Sequence, residues 1–234
     1  MPSRYREVLS SIGATVIDEL TDRNQDREQA ISVSREVIRF SANAIRAVHR
    51  GEFVDARQLI SEGEARLKDA DHIAISSPSI FNAGFMNDAR KEFTEANITL
   101  AVISGSDIPS KSDLRVDAGA YINGMAEVIG ELRRYILDAL RRNSVDDCQE
   151  FMDIMDEMYS ILITIDFPEG VTSGLRHNTD AMRGVLERTR GDLTMALRQH
   201  SLETRLAEWE DKQSSSYIGL TPGEPRKTSV INTN

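Results

Sequence analysis

The stretch Asn87-Asp88-Ala89-Arg90-Lys91-Glu92-Phe93-Thr94-Glu95-Ala96-Asn97-Ile98-Thr99-Leu100-Ala101-Val102-Ile103 decides the fold class. Its apolar residues Ala89, Phe93, Ala96, Leu100 and Ile103 recur at intervals of three and four, which a helix of 3.6 residues per turn gathers into one core-facing stripe. Ser104-Gly105-Ser106-Asp107 closes the helix ahead of Pro109.

The same periodicity extends in both directions, and convincing strand alternation is absent. Upstream, an amphipathic stretch over roughly 3–20 carries Val8, Ile12, Val16 and Ile17. A longer one over about 26–50 stops at Gly51, and a third over 53–70 carries Phe53, Ala56, Leu59, Ile60 and Leu67. Ser76-Ser77-Pro78-Ser79 reads as a loop. Downstream, a helix over about 113–142 presents Leu114, Ala118, Met125, Ile129, Leu132, Ile136 and Leu140. Ser144-Val145-Asp146-Asp147 reads as a capping-box variant opening a segment over 145–165, which Asp166-Phe167-Pro168-Glu169-Gly170 breaks. A final helix spans about 172–209. The expected fold is all-α, a single domain of about six to seven helices over 1–209. Residues 210–234, rich in Ser, Pro and Gly, read as a disordered tail.

Composition narrows the function classes. No run approaches the ~18 apolar residues of a membrane span, and Met1-Pro2-Ser3-Arg4-Tyr5 lacks the apolar centre of a signal peptide, so a cytoplasmic protein with no membrane partner is expected. The lone Cys148 has no cysteine partner for a disulfide or zinc site. A net charge of −10 argues against binding nucleic acid with the whole exterior, so any such surface must be local.

Two constellations carry chemistry. Asp88, Glu92, Glu95 and Thr99 share a stripe beside the apolar face of the 87–103 helix, and Glu127 and Glu131 repeat the i,i+4 spacing on the 113–142 helix near the small residues Ala120 and Gly124. Two such carboxylate pairs on adjacent helices can converge on a hard divalent cation. Acidic pairs are also common on solvated helix faces, and spacing alone does not separate the two readings. The second constellation is basic: Arg35, Arg39, Arg46 and Arg50 project from one narrow stripe of the 26–50 helix. Like charges in line repel, which points either to an anionic partner or to facing carboxylates of a neighbouring helix.

Other candidates are weaker. His49, His72, His177 and His200 form no Glu-x-x-His pair, so each reads as a surface or satisfied helical residue. Arg176, Asp180, Arg183, Glu187 and Arg190 alternate in sign and read as a self-neutralising surface. Gly-rich phosphate loops and nucleophile motifs are absent from the sequence.

Several stretches, taken in order over residues 24–200, resemble the family of translin and translin-associated factor X. They are Ser34-Arg35-Glu36-Val37, Ala47-Val48-His49-Arg50, Lys91-Glu92-Phe93-Thr94-Glu95-Ala96, Gly124-Met125-Ala126-Glu127-Val128-Ile129-Gly130-Glu131-Leu132 and Arg188-Thr189-Arg190-Gly191-Asp192-Leu193. The resemblance implies helical subunits that close into barrel-like octamers around nucleic acid, with catalytic carboxylates in the factor X branch. Glu92 and Glu95 match the Glu-aromatic-x-Glu motif; Glu127 and Glu131 match Gly-x-Ala-acid-x-x-Gly-Glu. One departure is Glu127, where the catalytic branch usually has Asp. The implied function is a metal-dependent endoribonuclease that encloses single-stranded RNA, with Glu92, Glu95, Glu127 and Glu131 holding Mg2+ or Mn2+ and Arg35, Arg39, Arg46 and Arg50 lining the cavity. The alternative is a homo-octamer that binds single-stranded RNA or DNA without cleaving it. An aromatic content of 6% limits base stacking in either case.

Overall fold

The computed structural model describes residues 4–145 and 147–218. Among them the chain forms ten helical segments and no strand: α1 Arg6–His49, α2 Phe53–Asp69, α3 Ile73–Ser76, α4 Pro78–Phe81, α5 Gly84–Ser104, α6 Lys111–Leu114, α7 Ala118–Arg141, α8 Cys148–Leu162, α9 Glu169–Thr172 and α10 Leu175–Ile218. The all-α expectation holds. Four of the ten are single turns, leaving six longer helices.

The element boundaries differ from the sequence reading where polar composition was taken for a break. The two stretches expected over 3–20 and 26–50 are joined among the described residues in one continuous helix of 44 residues, Arg6–His49. The intervening Thr21-Asp22-Arg23-Asn24-Gln25 contains neither Gly nor Pro, and the Thr21 hydroxyl donates back to the Ile17 carbonyl at 2.7 Å without breaking the helix. The 76–79 stretch, read as a loop, is largely helical: Pro78 occupies the first position of α4, where its missing N–H costs nothing. The 113–142 segment is interrupted by Arg115 in a left-handed conformation, with Asp117 capping α7 through the Ala120 N–H at 2.9 Å. A capping box predicted at Ser144 involves Asp146, which lies outside the described residues. Another is present at α6, where Ser110 and Asp113 cap each other reciprocally. Helix α10 continues to Ile218, into the stretch expected as a tail; residues 219–234 lie outside the described residues.

The packing order follows from the apolar stripes. Helix α5 lies between α1 and α7, and α7 in turn contacts α8 and α10. One core cluster joins Ile129, Leu132 and Ile136 of α7 to Met155 of α8 and to Leu186 and Leu193 of α10. A second joins Val33 and Val37 of α1 to Met86, Ala89 and Phe93 of α5. The described residues of α10 that match the resemblance are cross-links: Arg133 of α7 donates to the buried Thr189 hydroxyl and to Asp192, both at 2.9 Å. The alternating charges of α10 are not simply self-neutralising. Arg176 and Arg190 pair with Asp166 and Asp156, and Arg183 donates to the Tyr159 hydroxyl, because α10 lies along α8 and its long side chains reach across the seam.

Only the second half of α1 is buried. Its first turns expose Leu9, Ile12, Ile17 and Leu20, all more than half accessible, as are Leu202, Leu206 and Trp209 of α10. Val8, Ile12, Val16 and Ile17, the apolar residues of the first amphipathic stretch, are all exposed among the described residues. None of the described helices is long and apolar enough to cross a membrane.

Helix α7 packs tightly on α5 at Gly124, where an added Cβ would stand 2.7 Å from both the Lys91 carbonyl oxygen and the Thr94 Cβ. Gly124→Ala is therefore expected to destabilise the fold by about 1–3 kcal/mol, as overpacking against backbone does. Gly130→Ala, on the same helix with nothing within 4 Å, is expected to be neutral or to stabilise by up to about 1 kcal/mol through helix propensity. Urea unfolding of the two variants checks the contrast.

Candidate functional site

The close approach at Gly124 sets the geometry of the acidic residues. Glu92 and Glu95 flank the α5 turn that touches it, and Glu127 stands one turn further along α7. One carboxylate oxygen from each of Glu92, Glu95 and Glu127 lies within 4.8 Å of the others. Glu131, the fourth expected member, sits at the edge. It accepts a 2.5 Å hydrogen bond from Nε2 of His49, whose side chain is 5% exposed, and lies 3.7 Å from Arg134.

The electrostatics are those of crowded carboxylates with too little water. Glu95 is 7% exposed. Burial first, and then the negative charges of Glu127, Glu92 and Glu131, push its carboxyl up to about 9, against a smaller opposing effect of Lys91. Glu92 is also raised, chiefly by burial, with Lys91 working against it. Lys91 is the cluster's own cation: its Nζ donates to Glu127 at 2.7 Å and lies 3.5 Å from Glu92. Burial opposes the Lys91 ammonium, yet the bond to Glu127 and the neighbouring charges hold it above the ordinary lysine value.

These residues suit a hard divalent cation. Such ions take oxygen ligands, and two ligands facing each other across an ion at about 2.1 Å stand about 4.2 Å apart. Three ligands cannot all face one another, so neighbouring ones stand about 3.0 Å apart, and oxygens now within 4.8 Å of one another would draw in by up to about 1.8 Å onto the ion. A cation there would oppose both the burial and the acidic neighbours that keep Glu95 protonated.

The expected basic residues occupy the exposed side of α1. Arg50 is neutralised by Glu52. Among the described residues Arg35, Arg39 and Arg46 have no carboxylate within 4.0 Å; Arg46 donates to Asn43 and Arg39 lies over the Phe40 ring. Intramolecular pairing therefore accounts for one arginine of the four. His49, which reaches Glu131, lies within roughly 100° of each of them around the helix axis, so the basic stripe borders the side of α1 that faces the carboxylates.

Three residues at the site were not singled out from sequence. Lys91 lies inside the Lys91–Ala96 motif with nothing in its spacing to set it apart, although a carboxylate cluster calls for a cation. His49 reads from sequence as a surface or satisfied residue; it is satisfied, but by Glu131 from 82 residues away, a partner that helical spacing does not reveal. Asn123, 3% exposed, donates to the Gly119 and Thr172 carbonyls and accepts from Asn178, tying α7 to α9 and α10 beside the cluster.

No model of an established protein family matches the chain. It is similar to the uncharacterized protein MJ0175 of Methanocaldococcus jannaschii, with 31% identity over 195 residues, covering 79% of this chain and 85% of the relative. Among solved structures it resembles AfC3PO, alone and in complex with duplex RNA, in each case at TM-score 0.74 and 29% identity over 80% of this chain. These cover 96% of the AfC3PO chain in the RNA complex and 97% of it alone, and they are translin-family structures. The chain is translin-like. Apo-NeC3PO shares the fold, at TM-score 0.71 and 17% identity over 78% of this chain. Within this translin-like chain, the motif residues Glu92, Glu95 and Glu127 are the ones the α5–α7 contact assembles.

The raised Glu95 carboxyl has a pH signature. Between about 4.5, its ordinary value, and about 9, the folded chain retains a proton that the unfolded chain has lost, so this group lowers stability progressively as pH rises through that window. In chelator, Glu95→Gln is expected to flatten that slope and raise the Tm at pH 8 by a few degrees. Thermal unfolding from pH 5 to 9 measures both.

Proposed function

We propose that this translin-like chain is a metal-dependent endoribonuclease that assembles with copies of itself, encloses RNA and hydrolyses its backbone. The observation that supports this most is the convergence of Glu92 and Glu127 on the buried Glu95 carboxyl, which burial and then its acidic neighbours keep protonated at neutral pH. Glu92, Glu95 and Glu127 would hold Mg2+ or Mn2+, with Glu131 beside them. When bound, such an ion supplies Lewis acidity toward water and toward the phosphodiester oxygens.

Hydrolysis forms one P–O bond from water and breaks another to a ribose oxygen, so a proton must leave the water and one must reach the leaving oxygen. In this reading Glu131, held by His49 at the rim of the cluster, takes the first, and solvent water supplies the second. Arg35, Arg39 and Arg46 have no carboxylate within 4.0 Å among the described residues and are suited to the phosphate backbone; Arg50, paired with Glu52, contributes less. Contacts of this kind position a strand without reading its bases. AfC3PO has been seen with duplex RNA, so both duplex and single-stranded RNA are substrates to test, with single-stranded RNA the proposed one. Self-association, with the octamer as the proposed closed form, is supported by the apolar residues exposed on α1 and α10, which a second copy would cover.

A second reading, a binder of single-stranded RNA or DNA that does not cleave, is favoured by one feature. Glu127 stands where the catalytic branch has Asp and is bonded to Lys91.

The deciding experiment incubates end-labelled single-stranded and duplex RNA with the full chain in Mg2+, Mn2+ or chelator. Cleavage is expected only with metal, with losses of at least 100-fold in Glu95→Gln and Glu127→Gln. Binding without cleavage under every condition would establish the second reading. In a separate titration, the Arg39→Ala/Arg46→Ala variant is expected to weaken RNA binding and to lower the slope of log affinity against log salt by about 1.4 for a single strand. An unchanged slope would remove the stripe from the interface.

A further inference from the structure

Resting on the metal-site reading above, we propose that Lys91 is a resident counter-ion that holds Glu127 while the cluster is metal-free, is displaced when a divalent cation binds, and then presents its ammonium to the substrate phosphodiester.

Three observations converge on this residue. Its Nζ donates to Glu127 Oε1 at 2.7 Å and lies 3.5 Å from Glu92 Oε1, so it already spans two of the three carboxylates that form the cluster. A divalent cation on the same carboxylates would stand a few ångströms from the ammonium, and two cations so placed in a half-buried site repel strongly. The side chain also has somewhere to go. Lys91 and Glu127 line a cavity of about 230 Å3 whose other walls include Asn87, Asp88, Asn123 and Asn178. Those walls are hydrogen-bonding rather than apolar, so an ammonium moved from Glu127 remains solvated. Lysine suits such a two-position role, being a compact charge on a flexible stem, where arginine's planar fork would lock onto a carboxylate.

The arrangement accounts for how the carboxylates stay gathered without metal. It also sets a threshold, because a cation must compete with a built-in charge before it binds. The same cavity opens beside the cluster, so a displaced ammonium there borders any strand whose phosphate reaches Glu127.

Calorimetric titration of Mn2+ into the metal-free full chain tests the competition. Lys91→Gln is expected to bind Mn2+ about tenfold more tightly than wild type, whereas Arg134→Gln, which removes a cation near Glu131 but not from Glu127, is expected to change affinity by less than about twofold. Glu127→Gln is expected to lose most of the binding. An independent measurement uses the unaltered protein: the rate at which acetic anhydride labels Lys91, read by mass spectrometry, is expected to rise several-fold when Mg2+ is added.

Wild type that binds Mn2+ through Glu127, with Lys91→Gln no tighter than Arg134→Gln and Lys91 labelling unchanged by Mg2+, would overturn the proposal and leave the metal-site reading standing. No Mn2+ binding by wild type or Lys91→Gln would remove both.

Discussion

The close approach of α5 and α7 at Gly124 is the contact on which the rest of the site depends. A side chain at that position would meet the Lys91 carbonyl and the Thr94 Cβ at 2.7 Å, so the two helices can lie this near only because the residue is glycine. Glu127 follows one turn later, and Glu92 and Glu95 flank the same turn of α5. Spread the helices by the width of a methyl group and the three carboxylates no longer share a centre. Buried Asn123, one residue before Gly124, anchors that part of α7 to α9 and α10 through two hydrogen bonds, one to the Thr172 carbonyl and one from Asn178. The contact is thus braced from the opposite side.

Such proximity carries an electrostatic cost, which the chain meets in three ways. Glu95 keeps its proton, because burial and its acidic neighbours make ionisation unfavourable at neutral pH. Glu127 and Glu92 share the Lys91 ammonium. Glu131 is held apart by His49, a nearly buried imidazole delivered by α1. Buried polar groups arranged this way are high-stakes, since each is expensive if its partner is lost. A stable fold alone does not require so many acids at one helix contact, and apolar residues of similar volume would pack there at lower cost. That is why the cluster reads as a functional site.

The charge of the chain is distributed to match. A net charge of −10 is spread over 234 residues, while three arginines on one side of α1 have no carboxylate partner within 4.0 Å among the described residues. An acidic exterior with a local basic stripe admits an anionic polymer at one surface and repels it elsewhere. The apolar residues exposed on the first turns of α1 and on α10 are the surfaces that the proposed self-association would cover.

Much of this was legible in the residues themselves. Periodicity in 87–103 and 113–142 reveals helices and their buried faces, because a repeat of 3.6 is a local property. The ordered motifs around Glu92, Glu95, Glu127 and Glu131 likewise single out the acids. Boundaries were less legible: polar residues 21–25 do not interrupt α1, since a helix ends where its hydrogen bonding is broken or capped and not where it turns hydrophilic. What only the tertiary structure decided is the pairing of residues far apart in sequence. Glu131 with His49, Glu127 with Lys91, and Arg133 with Thr189 and Asp192 depend on which helix lies against which and at what distance. Whether four carboxylates form one group or three with a neighbour is likewise a matter of interhelical geometry, and no spacing along a single helix encodes it.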